Sequence, residues 1–257
     1  MITIKNASQI AKMQAAGALL YEVLQALRQE AVAGVTTKEL DAMAERMIRN
    51  AGAIPSFKGY NGFPASICAS LDDVVVHGFP SDAPLEDGHI LSIDCGLVLN
   101  GWQADSAFTV AIGKVPERIE ELIRVTEECF WLGAAQAREG NRLSDISHAV
   151  QEHAEKHGFG VVRAYTGHGI GRDMHEDPAV PNYGPAGRGV RLRAGMTLAI
   201  EPMITEKKWP VYIADDGWTA ITRDHSWCSH YEHTVAVTTG EPVILTLPGA
   251  ADSEDGK

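Results

Sequence analysis

The sequence predicts an α+β fold in a single domain, on three observations. Helical and strand-like segments come in blocks, two helices and then a strand-rich stretch, rather than in alternation. That block order occurs twice. Within each strand-rich stretch an apolar run ends in an acid, and a later acid opens another apolar run. The first copy reads Gly88-His-Ile-Leu-Ser-Ile-Asp94 and then Asp105-Ser-Ala-Phe-Thr-Val-Ala-Ile-Gly113. The second reads Gly195-Met-Thr-Leu-Ala-Ile-Glu201 and then Glu232-His-Thr-Val-Ala-Val-Thr-Thr-Gly240. The first landmarks recur 107 positions later (88 to 195, 94 to 201) and the second 127 later (105 to 232, 113 to 240). Residues 1–248 therefore read as one catalytic-sized unit with pseudo-symmetric halves, about 1–113 and 114–248, since no composition shift marks a linker. The small, charged tail at 249–257 reads as disordered.

Each element has its own signal. Ile10, Met13, Gly17, Leu20, Leu24 and Leu27 recur at helical spacing, so an amphipathic helix follows Ser8. Thr36 and Glu39 form a capping-box pattern ahead of Leu40, Met43 and Met47, which gives a second helix ending near Gly52. Val74-Val75-Val76 is strand-like and closes on His77-Gly78. In the second half Pro116 opens a helix through Ile119, Leu122, Thr126 and Phe130 that is expected to stop near Gly140. Ser144 is expected to cap a fourth helix, through Ile146 and Val150 to His157, with Gly158 as its stop. A second His-Gly step, His168-Gly169, follows the stretch from Val161 to Thr166. Pro178 to Gly195 reads as a long loop, and Ala214-Asp-Asp-Gly217 as a hairpin turn. Helices would cover one face of curved sheets and leave the other face to hold a site.

Bulk properties narrow the function. A chain of 257 residues with 45% hydrophobic content can bury a large core. Its formal charge of −12 argues against sequence-independent nucleic-acid binding, which runs on Lys and Arg. The N-terminus lacks a basic region followed by an apolar stretch, so no secretory signal is expected. No apolar run approaches the ~20 residues that span a bilayer. Cys68, Cys95, Cys129 and Cys228 are isolated, which argues against disulfides and against a thiolate zinc site. A soluble cytoplasmic protein is the expectation.

Carboxylates among core strands are costly unless they are paired or hold a metal. Alone, Asp94 reads as a turn residue and Asp105 as a cap. Recurrence at Glu201 and Glu232 favours a shared cation site instead, because two neighbouring divalent ions can share bridging carboxylates. His168, in Thr166-Gly-His-Gly-Ile-Gly171, sits where glycines allow close backbone approach and reads as a ligand. The glycine spacing there does not fit a dinucleotide fingerprint, since no βαβ unit follows. His175 alone would be a surface loop residue and His77 an uncharged strand-end residue; both gain weight from their place in the repeat. His153 and His157 lack the H-E-x-x-H order of a metalloprotease and suit a helix C-terminus. Asn6-Ala-Ser8 fits a glycosylation sequon that is meaningless without a secretory signal.

The ordered set Asp94, Asp105, His168, Glu201 and Glu232 resembles the dinuclear site of the methionine aminopeptidases, in their bacterial type I form. Further matching segments are Ser66-Ile-Cys-Ala-Ser70, Val76-His-Gly78, Ser92-Ile-Asp-Cys-Gly96, Tyr165 to Gly171, Glu201-Pro202, Asp216-Gly-Trp218 and Tyr231-Glu-His-Thr234, so that residues 3 to 245 are covered. The resemblance implies the pita-bread fold, with curved antiparallel sheets, two pseudo-symmetric helix pairs and a dinuclear site in the central cleft. It implies that Asp94 binds one divalent ion, that Asp105 and Glu232 bridge both, and that His168 and Glu201 complete the second. Co, Mn, Fe, Zn and Ni all tolerate such ligands. His77 and His175 would face the substrate, and Phe57, Tyr60, Phe63, Cys68 and Trp218 would line a methionine pocket, where an aromatic wall suits a thioether.

The reaction implied is removal of the N-terminal methionine from nascent chains whose second residue is small. A water activated by the ions would attack the carbonyl, Glu201 would pass its proton to the leaving nitrogen, and His175 would stabilise the oxyanion. The implied setting is a cytoplasmic monomer acting on nascent polypeptide N-termini, with the ribosome as a partner and neither nucleic acid nor membrane involved. Phe57 and Val76 stand where several relatives carry Cys. Asp72 stands where some carry Asn, near carbonyls (Val74 and Ser229 among them) that can hold a monovalent cation. Two alternatives stay open: an Xaa-Pro aminopeptidase or prolidase of the same fold, and a non-catalytic, ribosome- or RNA-associated homologue. The first usually carries a large extra N-terminal domain; the second loses metal ligands and gains basic patches.

Overall fold

A computed structural model describes residues 1–248; the tail expected to be disordered, 249–257, lies outside the described residues. The block order holds. In the first half, α1 (Ala7–Glu30) and α2 (Thr37–Asn50) precede β1 (Ile54–Pro55), β2 (Ile67–Leu71), β3 (Val74–Val76), β4 (Ile90–Leu99) and β5 (Trp102–Ala111). In the second, α3 (Glu117–Ala134) and α4 (Leu143–Lys156) precede β6 (Gly160–Val161), β7 (Gly167–Gly169), β8 (Glu176–Val180) and β9 (Thr197–Ile200). Then come β10 (Met203–Thr205), β11 (Val211–Ile213), β12 (Ala220–Thr222), β13 (Cys228–His230), β14 (Glu232–Ala236) and β15 (Val243–Ile244).

The main sheet runs β1-β4-β5-β14-β9-β7-β8, with β2 added on β4 and β15 on β14. Its paired neighbours are antiparallel throughout. Two three-stranded sheets, β13-β10-β6 and β11-β12-β3, flank it. The two-residue period of a strand divides the sheet into two faces. In β4, Leu91, Ile93, Cys95 and Leu97 point at the first helix pair, where they pack with Leu20, Leu24 and Leu27 of α1 and Leu40 and Ile48 of α2. Between them, Ser92, Asp94 and Gly96 take the opposite face. The second helix pair does the same for the other half, with Phe130 and Ala134 of α3 and Ile146 of α4 against Leu198, Ile200 and Val235.

Helix ends differ in detail from expectation. α1 starts earlier, because Asn6 and Gln9 form a reciprocal capping box, so the first residue of the sequon is a helix cap. The Thr36–Glu39 box is present as expected. α3 ends at Ala134 rather than near Gly140, since the following backbone turns away to bond elsewhere: Glu139 N–H reaches the Thr238 carbonyl and Gly140 N–H that of Leu192. α4 is capped at Arg142, whose N–H is taken by the Asp145 carboxylate. Ser144 instead fastens the following loop, its hydroxyl accepting from Arg188 N–H and donating to Arg188 carbonyl. The expected loop from Pro178 to Gly195 begins inside β8, an edge strand, where a proline costs no ladder bond. The turn around Gly217 joins β11 to β12 as expected.

Gly17 marks where the C-terminal stretch closes over α1. A Cβ at this position would lie 1.9 Å from the Leu245 carbonyl oxygen, a backbone atom that cannot rotate away. Gly17→Ala would gain ~1 kcal/mol of helix propensity, but crowding of this kind costs up to ~3 kcal/mol. The expected outcome is a net loss of ~1–2 kcal/mol, read as a lower urea midpoint; an unchanged or raised midpoint would show that the 245–246 segment is not held against α1.

Candidate active site

Five neighbouring strands each deliver one acid or imidazole, in sheet order: Asp94 from β4, Asp105 from β5, Glu232 from β14, Glu201 from the end of β9 and His168 from β7. Register puts all five on the face away from the helices. Asp94 lies opposite Ala107, which also lies opposite Glu232, and Asp105 is two residues from Ala107. Across β14 and β9 the pairing His233↔Ile200 carries Glu201 beside Glu232, and His168 pairs with Ala199, two residues from Glu201. Gly96 opposite Asp105 must lack a side chain, because a Cβ there would lie 2.9 Å from the Phe57 ring and 3.2 Å from Asp105 Oδ1.

These residues line one cleft of about 310 Å³, together with His77, His175, Phe57, Tyr60, Phe63, Cys68 and Trp218. Every residue expected at the site is thus brought together. Val76 is not; it packs in the core with Val75, Val162 and Met203. Asp72 commits both carboxylate oxygens, one to His89 Nδ1 and one to Ile90 N–H. Phe57, Phe63, Ala65, Cys68 and Met174 form a buried apolar cluster closed by Phe79 and Trp218, with the Trp218 ring edge-on to Phe63 at 5.2 Å. Burial, and then Asp94 and Asp105, push the Cys68 thiol well above the usual range, so it is an inert wall rather than a nucleophile. His77 holds a left-handed backbone (φ 62°) ahead of Gly78, where a Cβ would strike the Ala69 carbonyl oxygen at 2.3 Å. His175 stands at the mouth, its Nδ1 2.9 Å from the Tyr60 hydroxyl.

Residues 11–239 match metallopeptidase family M24. The chain belongs to that family. It is 52% identical over 248 residues to a methionine aminopeptidase of Clostridium acetobutylicum, covering 96% of this chain and 99% of that one. A crystal structure of methionine aminopeptidase from Rickettsia prowazekii superposes with a TM-score of 0.95 at 41% identity, over 96% of this chain and all of that one. A prolidase from Pyrococcus horikoshii shares the fold at a TM-score of 0.76, but at 22% identity and with only 64% of its length covered.

The M24 family binds divalent metal, and this cleft fits such an ion on its own terms. Asp94 Oδ1, Asp105 Oδ1 and Glu232 Oε1 are buried without a hydrogen-bond partner. Among the described residues, no Lys or Arg lines the cleft to neutralise them. His168 spends Nδ1 on the Gly169 carbonyl at 2.8 Å, and a carbonyl only accepts. Nδ1 therefore carries the proton and Nε2 presents a lone pair, 3.6 Å from Glu201 Oε1 and 3.9 Å from Asp105 Oδ2. Burial drives all four carboxyls up, Asp94 to about 7 and Glu201 to about 8, with mutual repulsion adding to the rise at Asp94, Asp105 and Glu232. Burial holds the His168 and His77 imidazoles down at about 4.

Three residues escaped the sequence reading. Met174 and Asn61 line the cleft, and only the adjacency of Met174 to His175 pointed that way. His230, next to Tyr231 in a quoted motif, is 2% exposed with an unpartnered Nε2. His153 and His157 contact Glu128 and Glu121 on the α3–α4 face, away from the cleft lining, where Glu128, His153 and His157 lie close enough together to hold a metal ion. His233, beside Glu232, faces the helices and packs on Phe130.

The raised carboxyls set a pH dependence. Unfolded, these groups ionise at about pH 4, whereas the folded, metal-free site holds protons to about 7 at Asp94 and about 8 at Glu201. Between those values the folded state binds more protons than the unfolded one, so stability falls as pH rises. The depressed histidines oppose that trend between about 4 and their unfolded value of about 6.5, and are silent above it, where the acids alone act. The chelated protein should lose ~1–3 kcal/mol between pH 7 and 8, seen as a falling melting temperature that added Mn²⁺ reverses. A flat profile without metal would mean that the acids are already neutralised.

Proposed function

We propose that this chain is a methionine aminopeptidase, removing the N-terminal methionine from nascent chains whose second residue is small. The observation that carries the reading is an apolar pocket, lined by Phe57, Phe63, Met174 and Trp218, in the same cleft as a set of five candidate metal ligands. Identity to methionine aminopeptidases over nearly the full length of both chains supports it. The Xaa-Pro alternative is supported only at the level of fold. All five candidate ligand positions are filled, which disfavours a non-catalytic homologue.

Asp94, Asp105, His168, Glu201 and Glu232 would hold two divalent ions, whose four positive charges match four carboxylates. The metal could be Co, Mn, Fe, Zn or Ni, and a monovalent cation near Asp72 is a further implied ion. When bound, divalent ions supply Lewis acidity and lower the pKa of water. Glu201 takes the proton of the attacking water and hands it to the amide nitrogen as the C–N bond breaks. His175 donates Nε2–H to the carbonyl oxygen as charge builds there, since Tyr60 can satisfy its Nδ1. His77, half-buried and uncharged, stands edge-on to Tyr165 and Trp218. The methionine side chain fills the aromatic pocket, with the sulfur of Met174 and the rings offering soft contacts. A free α-amine would serve as a ligand to the divalent ions, so chain ends would fit and internal peptides would not. Such an enzyme works on chains emerging from the ribosome, in the cytoplasm, as a monomer; among the described residues no helix is long and apolar enough to cross a membrane.

His175→Ala should lower kcat by ~10²–10³, the usual loss for one oxyanion donor, while metal content stays at the wild-type level. Metal loss in step with activity would make His175 a ligand instead. The function itself is tested with a Met-Xaa-Gly peptide series compared by kcat/KM, the quantity that measures discrimination. Cleavage before Ala, Gly and Ser and not before Lys, Glu or Leu is expected; a flat profile, or preference for Xaa-Pro peptides, would overturn the reading.

A further inference from the structure

His230 stands behind the candidate metal site and has no part in the reaction described above. Its backbone is clamped: N–H bonds to Thr109 Oγ1 at 3.0 Å, and its carbonyl accepts from the same hydroxyl at 2.8 Å. It pairs with Met203, and Tyr231 N–H reaches the Pro202 carbonyl, so the 201–203 and 230–232 segments are zipped together. That register fixes the imidazole against Glu201. Nε2 lies 3.6 Å from Glu201 Oε2 and 3.9 Å from Glu232 Oε2, and among the described residues it has no hydrogen-bond partner. His168 mirrors it, with Nε2 3.6 Å from Glu201 Oε1. The two imidazoles therefore address different oxygens of one carboxylate. They differ in one respect: His168 lines the cleft, whereas His230 does not and is 2% exposed.

We infer that His230 is a positioning residue for Glu201, donating Nε2–H to Oε2 from behind and leaving Oε1 to face the ion held with His168. Ionised carboxylates only accept, so the nitrogen that faces them must carry the proton. Metal-holding carboxylates are themselves commonly hydrogen-bonded, and no described hydrogen bond reaches either Glu201 side-chain oxygen. The separation exceeds a good hydrogen bond by ~0.5 Å, a gap that a small rotation of Glu201 closes. Without the donor, Glu201 is free to turn, which loosens the ion and misdirects the proton it carries.

The inference rests on the reading of Glu201 as a metal-holding proton carrier, so metal affinity is measured without substrate. Metal-free wild type, His230→Leu and His230→Gln are titrated with Mn²⁺ by calorimetry, after their melting temperatures confirm folding. His230→Leu should bind ~10–100-fold more weakly, the usual cost of losing such a partner, whereas His230→Gln, which keeps an N–H of similar reach, should recover most of the affinity. With saturating metal, kcat on a Met-Ala-Gly peptide should fall in His230→Leu while KM changes little. Wild-type affinity in His230→Leu would overturn the role. So would failure of His230→Gln with loss of stoichiometry, which would make His230 a ligand. If the Leu variant does not fold, a zinc-loaded wild type should show an imidazole N–H resonance protected from exchange and missing in His230→Gln; its absence overturns the role. Intact metal results without peptide cleavage would instead sink the proposed activity and leave His230 standing.

Discussion

Four carboxylates held within one cleft, with no Lys or Arg beside them among the described residues, are the constraint on which the rest of this structure depends. Their burial raises every one of their pKa values, and that strain is relieved only by protons or by cations. Holding them together takes a rigid frame. The antiparallel sheet supplies it, since each of five adjacent strands places one donor on the same face and backbone ladders fix their spacing. The helix pairs then cover the other face with apolar contacts, so the charge-bearing side is left to the cleft.

The same two-residue period organises the pocket. Cys68 of β2 lies opposite Asp94, which brings the apolar wall next to the acids without mixing the two. Phe57 reaches in over Gly96, and the Gly78 step lets the strand bearing His77 press against Ala69. An aromatic wall beside an acidic floor gives one binding site two ends of opposite character.

Much of this was legible in the residues. Hydrophobic periodicity and the Thr36–Glu39 box located the helices, and the duplicated acids located the donors. The lapses share a cause. Ser144 has the chemistry of a cap, but Arg188 competes for its hydroxyl from a distant loop, so the cap falls at Arg142. α3 ends early because Thr238 and Leu192, far along the chain, offer its continuation better partners. Pro178 reads as a loop residue until β7 gives it an edge to lie on.

By itself the sequence determined the two-fold block order, the strand period and the identity of the five metal-holding candidates, because each is a local or repeated pattern of residue types. Only the tertiary structure decided which side chains stand beside Glu201. His230 and Met174 sit in unremarkable local contexts, and their roles arise from pairing between segments separated along the chain. Burial and alignment of that kind are properties of register across strands, which no local pattern encodes.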